Sequence, residues 1–165
     1  MRQFTLVLIH TDNDEVKDLV SKHLRDLGFS ILPDVFISWQ PRQKIEERLV
    51  IAKEELIDMI ERGGFKGELA YAIIELNDEQ FRAIRPLIAR RLEDEDQRMI
   101  SWGEALLRRI RSSHREKSKR EYSSFNRRYK WLITMHELFD VKHELLKRVL
   151  ELARELRIEY ERNFK

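Results

Sequence analysis

The spacing of apolar residues predicts a strand and then a helix at the start of the chain. The stretch Phe4–Ile9 is rich in β-branched and aromatic residues, which is typical of a buried strand. Apolar residues then recur at helical spacing as far as Leu27, after Asp12 or Asn13 as the N-cap. We expect Gly28 to end this helix as a left-handed cap, because glycine tolerates positive φ.

The next pattern predicts two short strands, a long helix and a last strand. A Pro-Asp turn separates the short strands, and a glycine pair ends the helix. These four elements are Phe29–Leu32, Val35–Trp39, Arg42–Arg62 before Gly63 and Gly64, and Glu68–Leu76. The full order is strand, helix, strand, strand, helix, strand. It predicts an α+β fold, namely a ferredoxin-like βαββαβ sandwich over residues 1–77.

Residues 78–165 are predicted to form a C-terminal helical region. Asn77 and Gln80 have the spacing of a capping box, and Pro86 is expected to kink the helix or to start a new one. The acidic run 93–96 is expected to be a loop or a helix start, and a break is expected near Phe139 and Asp140. A seam for helix packing, inside the chain or with a second copy, is formed by Leu138, Leu145, Val149, Leu152 and Leu156.

Composition and charge narrow the classes of function. The chain has 165 residues and no cysteine, which excludes disulfides, thiolate zinc sites and thiol catalysis. No apolar run is long enough to span a membrane, so the expected location is the cytoplasm. No motif names a reaction or a cofactor, and we therefore expect a binding protein rather than an enzyme. Residues 1–100 carry a net charge of −5 and residues 101–165 one of +7, which suggests a charged partner for the basic stretch.

A basic segment between residues 108 and 130 is the strongest functional signal. Only two acidic residues lie within it, and Tyr122, Phe125, Tyr129 and Trp131 are interleaved with or adjacent to its cations. Clustered cations bind phosphates by releasing counterions, and aromatic rings can stack on unpaired bases. The alternative is a solvated face whose charge the acidic stretch balances. The predicted nucleic-acid-binding residues are Arg108, Arg109, Arg111, Arg115, Lys117, Lys119, Arg120, Arg127, Arg128 and Lys130.

Candidate metal sites are weaker, and none is predicted. Asp12 and Asp14 could hold Mg²⁺ through oxygen ligands, but helix capping explains them as well. His136 and His143 are seven residues apart, which does not present two ligands together, so surface or seam histidines are expected. The glycine-rich stretch 63–67 follows a helix, whereas a phosphate-binding loop follows a strand.

Several stretches resemble the N-terminal domain of the chromate-resistance regulators known as ChrB. The similar stretches are LVLIH at Leu6–His10, HLRDLGF at His23–Phe29, VFISWQP at Val35–Pro41, the Gly63–Gly64 pair, ELAYAIIEL, LNDEQFRAI at Leu76–Ile84, and the helical end Phe125–Tyr160. The resemblance implies transcription regulation, with DNA as the partner and chromate as an effector. ChrB regulators usually carry a second, C-terminal domain.

The order of elements also resembles the small ferredoxin-like nuclease and integrase subunit associated with CRISPR. That family normally has an aspartate where the first strand ends, whereas His10 stands there in this chain and Asp12 follows two residues later. Three functions are therefore open. The first is a nucleic-acid-binding regulator, with DNA favoured over RNA and with a second copy of the chain as a further candidate partner. The second is a protein-interaction or oligomerisation module, and the third is a metal-dependent nuclease that uses Asp12 and Asp14.

Overall fold

Strands and helices follow one another along the chain in the order that the sequence predicts. The computed structural model describes residues 2–112 and 115–164. The elements are β1 (Phe4–His10), α1 (Asp14–Leu24), β2 (Gly28–Leu32), β3 (Val35–Ser38), α2 (Arg42–Glu61), β4 (Ala70–Leu76), α3 (Asp78–Arg111), α4 (Arg115–Phe139) and α5 (Glu144–Phe164).

The four strands form one sheet in the order β2-β3-β1-β4, with every neighbouring pair antiparallel. In the centre of the sheet, Leu6 of β1 lies opposite Ile37 of β3 on one side and Ile74 of β4 on the other. The predicted α+β class, with an antiparallel sheet and a helical C-terminal region, is confirmed.

The chain divides into two compact units, Met1–Ile84 and Arg85–Lys165. In the first unit, α1 and α2 pack against the sheet, because each presents an apolar stripe. The core of this unit contains Val7 from β1, Phe36 from β3 and Ile73 from β4, together with Val16, Leu19, Val20 and Leu24 of α1 and Ile45, Leu49 and Leu56 of α2.

Side-chain caps begin two helices, and a glycine pair follows a third, where the sequence predicts them. The Asn13 side chain accepts hydrogen bonds from the backbone of Glu15 and Val16, and Asn77 and Gln80 exchange the two bonds of a capping box. Gly63 and Gly64 follow α2 with φ of 89° and 81°, the left-handed conformation that glycine adopts without strain.

Gly28 does not cap α1, contrary to the prediction, because it is the first residue of β2. Glycine is needed there for a different reason. A Cβ on Gly28 would lie 2.0 Å from the carbonyl oxygen of Ile37, so only glycine allows the two strands to approach this closely.

In the second unit, the acidic run 93–96 lies within α3, and the prediction of a loop or helix start is wrong. Helix α3 also continues through Pro86 without restarting. Four adjacent carboxylates favour a loop only while they repel one another in water. Here Glu95 and Asp96 are buried, and each is paired with a basic side chain.

The helices α3, α4 and α5 meet around a single glycine. A Cβ on Gly103 of α3 would lie 3.2 Å from the Phe125 ring of α4 and 3.4 Å from Leu152 of α5. Of the predicted seam residues, Val149, Leu152 and Leu156 of α5 are buried within the chain, whereas Leu138 and Leu145 are half-buried. Helix α4 ends at Phe139, and Asp140 follows with φ of 50°, so the predicted break near these residues is confirmed.

Candidate nucleic-acid interface

The basic segment forms the end of α3 and the first two-thirds of α4. Arg108, Arg109 and Arg111 belong to the last turns of α3, and the other predicted residues belong to α4. Arg115 begins α4, but its side chain lies outside the described residues.

Three of the predicted arginines are engaged in ion pairs within the second unit. Arg109 lies 2.5 Å from Glu121, which also accepts a hydrogen bond from the Trp102 ring nitrogen at 3.1 Å. Arg111 lies 3.8 Å from Glu159 of α5. The third, Arg128, lies 2.6 Å from Glu95. Because their charges are matched by carboxylates, these arginines have less charge to offer to a phosphate.

Glu95 is the centre of the strongest of these ion-pair networks. Glu95 is 3% exposed, and its carboxylate lies 2.7 Å from Arg91 and 3.1 Å from Arg98 in addition to Arg128. Burial alone would raise the pKa of Glu95, but the hydrogen bond from Arg128 and the charges of the three arginines lower it below its usual value. Glu95 therefore stays ionised and fixes Arg128 as a structural residue.

The remaining six predicted cations are exposed, and in the part of the chain that the structure describes no ion pair engages them. These exposed cations are Arg108, Lys117, Lys119, Arg120, Arg127 and Lys130. An exposed cation without a carboxylate partner keeps its full charge for a polyanion, with little cost of desolvation.

Four of these cations define the α4 cationic face, which comprises Lys119, Arg120, Arg127 and Lys130. Helical spacing places all four on the side of α4 away from the buried Phe125, with the exposed Ser123 and Ser124 between them. Arg120 and Arg127 are two helical turns apart, which is about 10 Å. The face therefore presents two levels of positive charge along α4, separated by small hydroxyl side chains.

The four predicted aromatic residues differ in what they offer to a base. Phe125 is fully buried and packs edge-on to Trp102 with ring centroids 5.3 Å apart, so it belongs to the core. The Trp131 ring carries the Arg128 guanidinium 4.0 Å from its centroid. Tyr122 and Tyr129 are half-buried, and both line a groove between α4 and α5.

This α4–α5 groove has a volume of about 510 Å³. Its lining residues are Tyr122, Asn126, Tyr129 and Lys130 of α4 and Leu150, Ala153, Arg154 and Arg157 of α5. Three of them are basic, and no carboxylate is among these lining residues. Burial raises the pKa of the Tyr129 hydroxyl, so that side chain stays neutral at physiological pH.

The sequence prediction missed the α5 wall of this groove. Arg154 and Arg157 lie outside the basic segment, in a helix where acidic and basic residues alternate. Leu150, Arg154 and Arg157 have the spacing i, i+4, i+7 and lie beside the packing seam of α5. That spacing predicts one shared helix face, but the sequence does not reveal that α4 runs beside this face.

The two predicted seam histidines both make contacts with backbone or carboxylate oxygens. His136 is 3% exposed, with Nε2 2.8 Å from Asp96 and Nδ1 2.7 Å from the Val141 carbonyl oxygen. His143 Nε2 lies 2.8 Å from the Ala89 carbonyl oxygen, and the two rings meet edge-on at 5.9 Å.

The carboxylates near β1 remain separate from other metal ligands. Asp12 and Asp14 are exposed on either side of the N-cap Asn13. Within residues 2–112 and 115–164, no group of three or more His, Asp or Glu side chains could hold a metal ion. The nuclease alternative stays a prediction that rests on Asp12 and Asp14 alone.

Comparisons with known proteins identify no relative of this chain. No family model, no curated protein and no solved structure matches the chain. Among the helices of the described residues, none has the length and apolar character needed to cross a membrane.

Proposed function

We propose that this protein binds nucleic acid through the α4 cationic face and the neighbouring exposed cations. The observation that carries the proposal is the selective pairing of the basic segment. Glu95, Glu121 and Glu159 engage three of its arginines, whereas six cations stay exposed with no ion pair in the described region of the chain. A face that only balanced the acidic residues of the chain would place carboxylates beside these six cations as well as beside the three paired arginines.

The expected binding is electrostatic and independent of base sequence. If six cations each contact a phosphate, log K falls with log salt at a slope of about −5 on duplex DNA. Affinity then drops about a thousandfold as salt rises from roughly 50 to roughly 200 mM. No base-reading element is needed for this behaviour, because phosphate contacts carry no sequence information.

A salt titration with two matched variants tests the proposal. The α4 variant changes four cations to glutamine, at Lys119, Arg120, Arg127 and Lys130. The control variant removes the same charge from four exposed cations elsewhere, at Lys53, Arg62, Lys66 and Lys142. Fluorescence anisotropy should show that the α4 variant loses most of its affinity for labelled DNA and most of the salt dependence. Equal losses in the two variants would reduce the binding to net charge and contradict a defined face.

The ChrB resemblance implies a regulatory role in transcription, with DNA as the partner. We keep DNA as the favoured nucleic acid on that basis.

A ferredoxin-like fold of residues 1–77, which we also propose, is compatible with this role. The strand order β2-β3-β1-β4, with each neighbour antiparallel and with α1 and α2 in the core of the unit, supports a ferredoxin-like arrangement of residues 1–77.

Association of two copies is the second candidate, and it is favoured by apolar side chains on the sheet. Leu8 and Ile74 are each 38% exposed, and Leu8 lies opposite Val35 and Ala72 in the ladder. Light scattering over a range of protein concentrations tests this candidate. Leu8→Lys together with Ile74→Lys should leave a monomer where the unmodified chain dimerises, and a constant monomer mass for the unmodified chain would remove it.

A further inference from the structure

The α4–α5 groove has a chemistry that phosphate binding on the α4 cationic face does not use. The face offers charge alone, whereas the groove adds two tyrosine rings and the amide of Asn126. Its volume of about 510 Å³ falls within the usual range of pockets that enclose small organic molecules. The apolar side chains of Leu150 and Ala153 in its lining suit a flat ring better than a hydrated phosphate.

The two walls of the groove present complementary groups. Tyr122, Asn126 and Tyr129 follow one another at i, i+4, i+7 on α4, and Leu150, Arg154 and Arg157 do so on α5. An amide can both donate and accept, and it therefore suits the edge of a base that has lost its pairing partner. The α5 arginines are exposed at the other wall, where they can bind the phosphate joined to that base.

Lys130 connects the groove with the cationic face, since it belongs to both. A strand whose phosphates follow α4 can therefore turn one nucleotide into the groove without leaving the cations. Only an unpaired base can do so, because the bases of a duplex are stacked and paired on the inside. Aromatic rings with nearby cations are the usual means by which proteins hold single strands.

We propose that the α4–α5 groove binds an unpaired nucleotide, so that the protein binds single-stranded nucleic acid more tightly than duplex. This inference rests on the proposed function, because the strand is first held by the α4 cationic face. Base and sugar enter the groove beside Tyr122, Tyr129 and Ala153, and the phosphate lies against Arg154 and Arg157.

The test fills the groove without changing any charge. Ala153→Leu places a larger apolar side chain in its lining, and Ala83→Leu is the matched control at an exposed position of α3. Anisotropy is measured with a short oligo(dT) strand and with a duplex of the same length. We expect Ala153→Leu to weaken strand binding about tenfold. Duplex binding should stay unchanged, and Ala83→Leu should behave as the unmodified protein.

A second variant keeps the test decisive if Ala153→Leu disturbs helix packing, which thermal unfolding would reveal. Arg154→Gln with Arg157→Gln should lower the ratio of strand to duplex affinity, whereas Lys142→Gln with Lys53→Gln should not change it. Unchanged ratios in both groove variants would overturn the inference and leave the α4 cationic face intact as the binding surface. Failure of the unmodified protein to bind either probe at low salt would overturn the proposed function itself.

Discussion

The guanidinium of Arg128 lies 2.6 Å from the buried carboxylate of Glu95, whereas no ion pair in the described residues engages its exposed neighbour Arg127. Adjacent residues of identical chemistry therefore have different roles, because helical geometry turns one toward α3 and the other toward solvent. The Trp131 ring beneath Arg128 adds a cation–π contact to the ion pair.

Replacing each of these two arginines by glutamine should separate stability from binding. Arg128→Gln removes one of three cations around Glu95, and we expect it to lower the free energy of unfolding by about 1–2 kcal/mol. Arg127→Gln should leave stability within about 0.5 kcal/mol while weakening binding to DNA. Urea unfolding and anisotropy measure the two quantities, and the same effect of both variants on stability would refute the assignment.

The buried His136 should make stability depend on pH. Burial opposes the charged ring, but the hydrogen bonds with Asp96 and the Val141 carbonyl outweigh this effect and raise the pKa of His136. Both ring nitrogens face acceptors, and only the imidazolium has two N–H donors. Because the pKa in the folded state is raised, the stabilisation is complete below about pH 6.5 and is lost as pH rises through the folded pKa.

Thermal unfolding between about pH 6 and about pH 9 measures this dependence, with His136→Gln as the reference. The melting temperature of the unmodified protein should fall more steeply with pH than that of the variant. The Glu95 pKa is lowered, so its contribution is already complete above the usual carboxylate range and does not change in this window. Parallel curves for the two proteins would contradict the raised pKa, because they would mean that His136 has the same pKa in the folded and unfolded states.

Gly103 should tolerate no large side chain. Gly103→Val would force atoms against the Phe125 ring and Leu152, and overpacking of this kind costs about 1–3 kcal/mol. Valine has a better helix propensity than glycine, so the loss would run against propensity. The control is Ala83→Val at an exposed position of α3, and urea unfolding measures both. Equal stability of the two variants would mean that the three helices can separate locally at no cost.

Gly28 and Gly63 provide a comparison between two reasons for glycine. Gly28→Ala would place a Cβ within 2.0 Å of a backbone oxygen, and we expect a loss above about 2 kcal/mol. At Gly63 no atom would lie within 4 Å of the new Cβ, and only the φ of 89° opposes alanine, at about 1 kcal/mol. A larger loss at Gly63 than at Gly28, measured by urea unfolding, would contradict this order.

Local signals predict most of the elements but not their tertiary surroundings. The cap at Asn13, the capping box at Asn77 and the glycine pair after α2 all depend on neighbours within a few residues. The prediction for the acidic run in α3 is wrong because the partners of Glu95 and Asp96 include Arg128 and His136, which are 33 and 40 residues away. Charge compensation over such distances has no signature in a single sequence.

The candidate site is predictable to a similar degree. The sequence shows the basic segment directly as a cluster of Lys and Arg. The division into paired and exposed cations depends on Glu121 of α4 and Glu159 of α5. The groove forms where α4 and α5 lie side by side, and the α5 residues that line it belong to a stretch in which acidic and basic residues alternate. The sequence therefore predicts the basic segment, but it does not predict which cations and groove residues form the candidate surface.

The turn between α4 and α5 joins the two helices that line the groove. Two contacts between His136 and Val141 close this turn. The Val141 N–H donates to the His136 carbonyl at 3.0 Å, and the Val141 carbonyl faces the His136 ring. At the other end of the two helices, Tyr122 stacks on Tyr160 with ring centroids 4.1 Å apart. Tyr122 lies about 26 Å along α4 from its end. A tilt of α5 relative to α4 by about 5° at this turn would open that end by about 2 Å, which is enough to separate the two stacked rings.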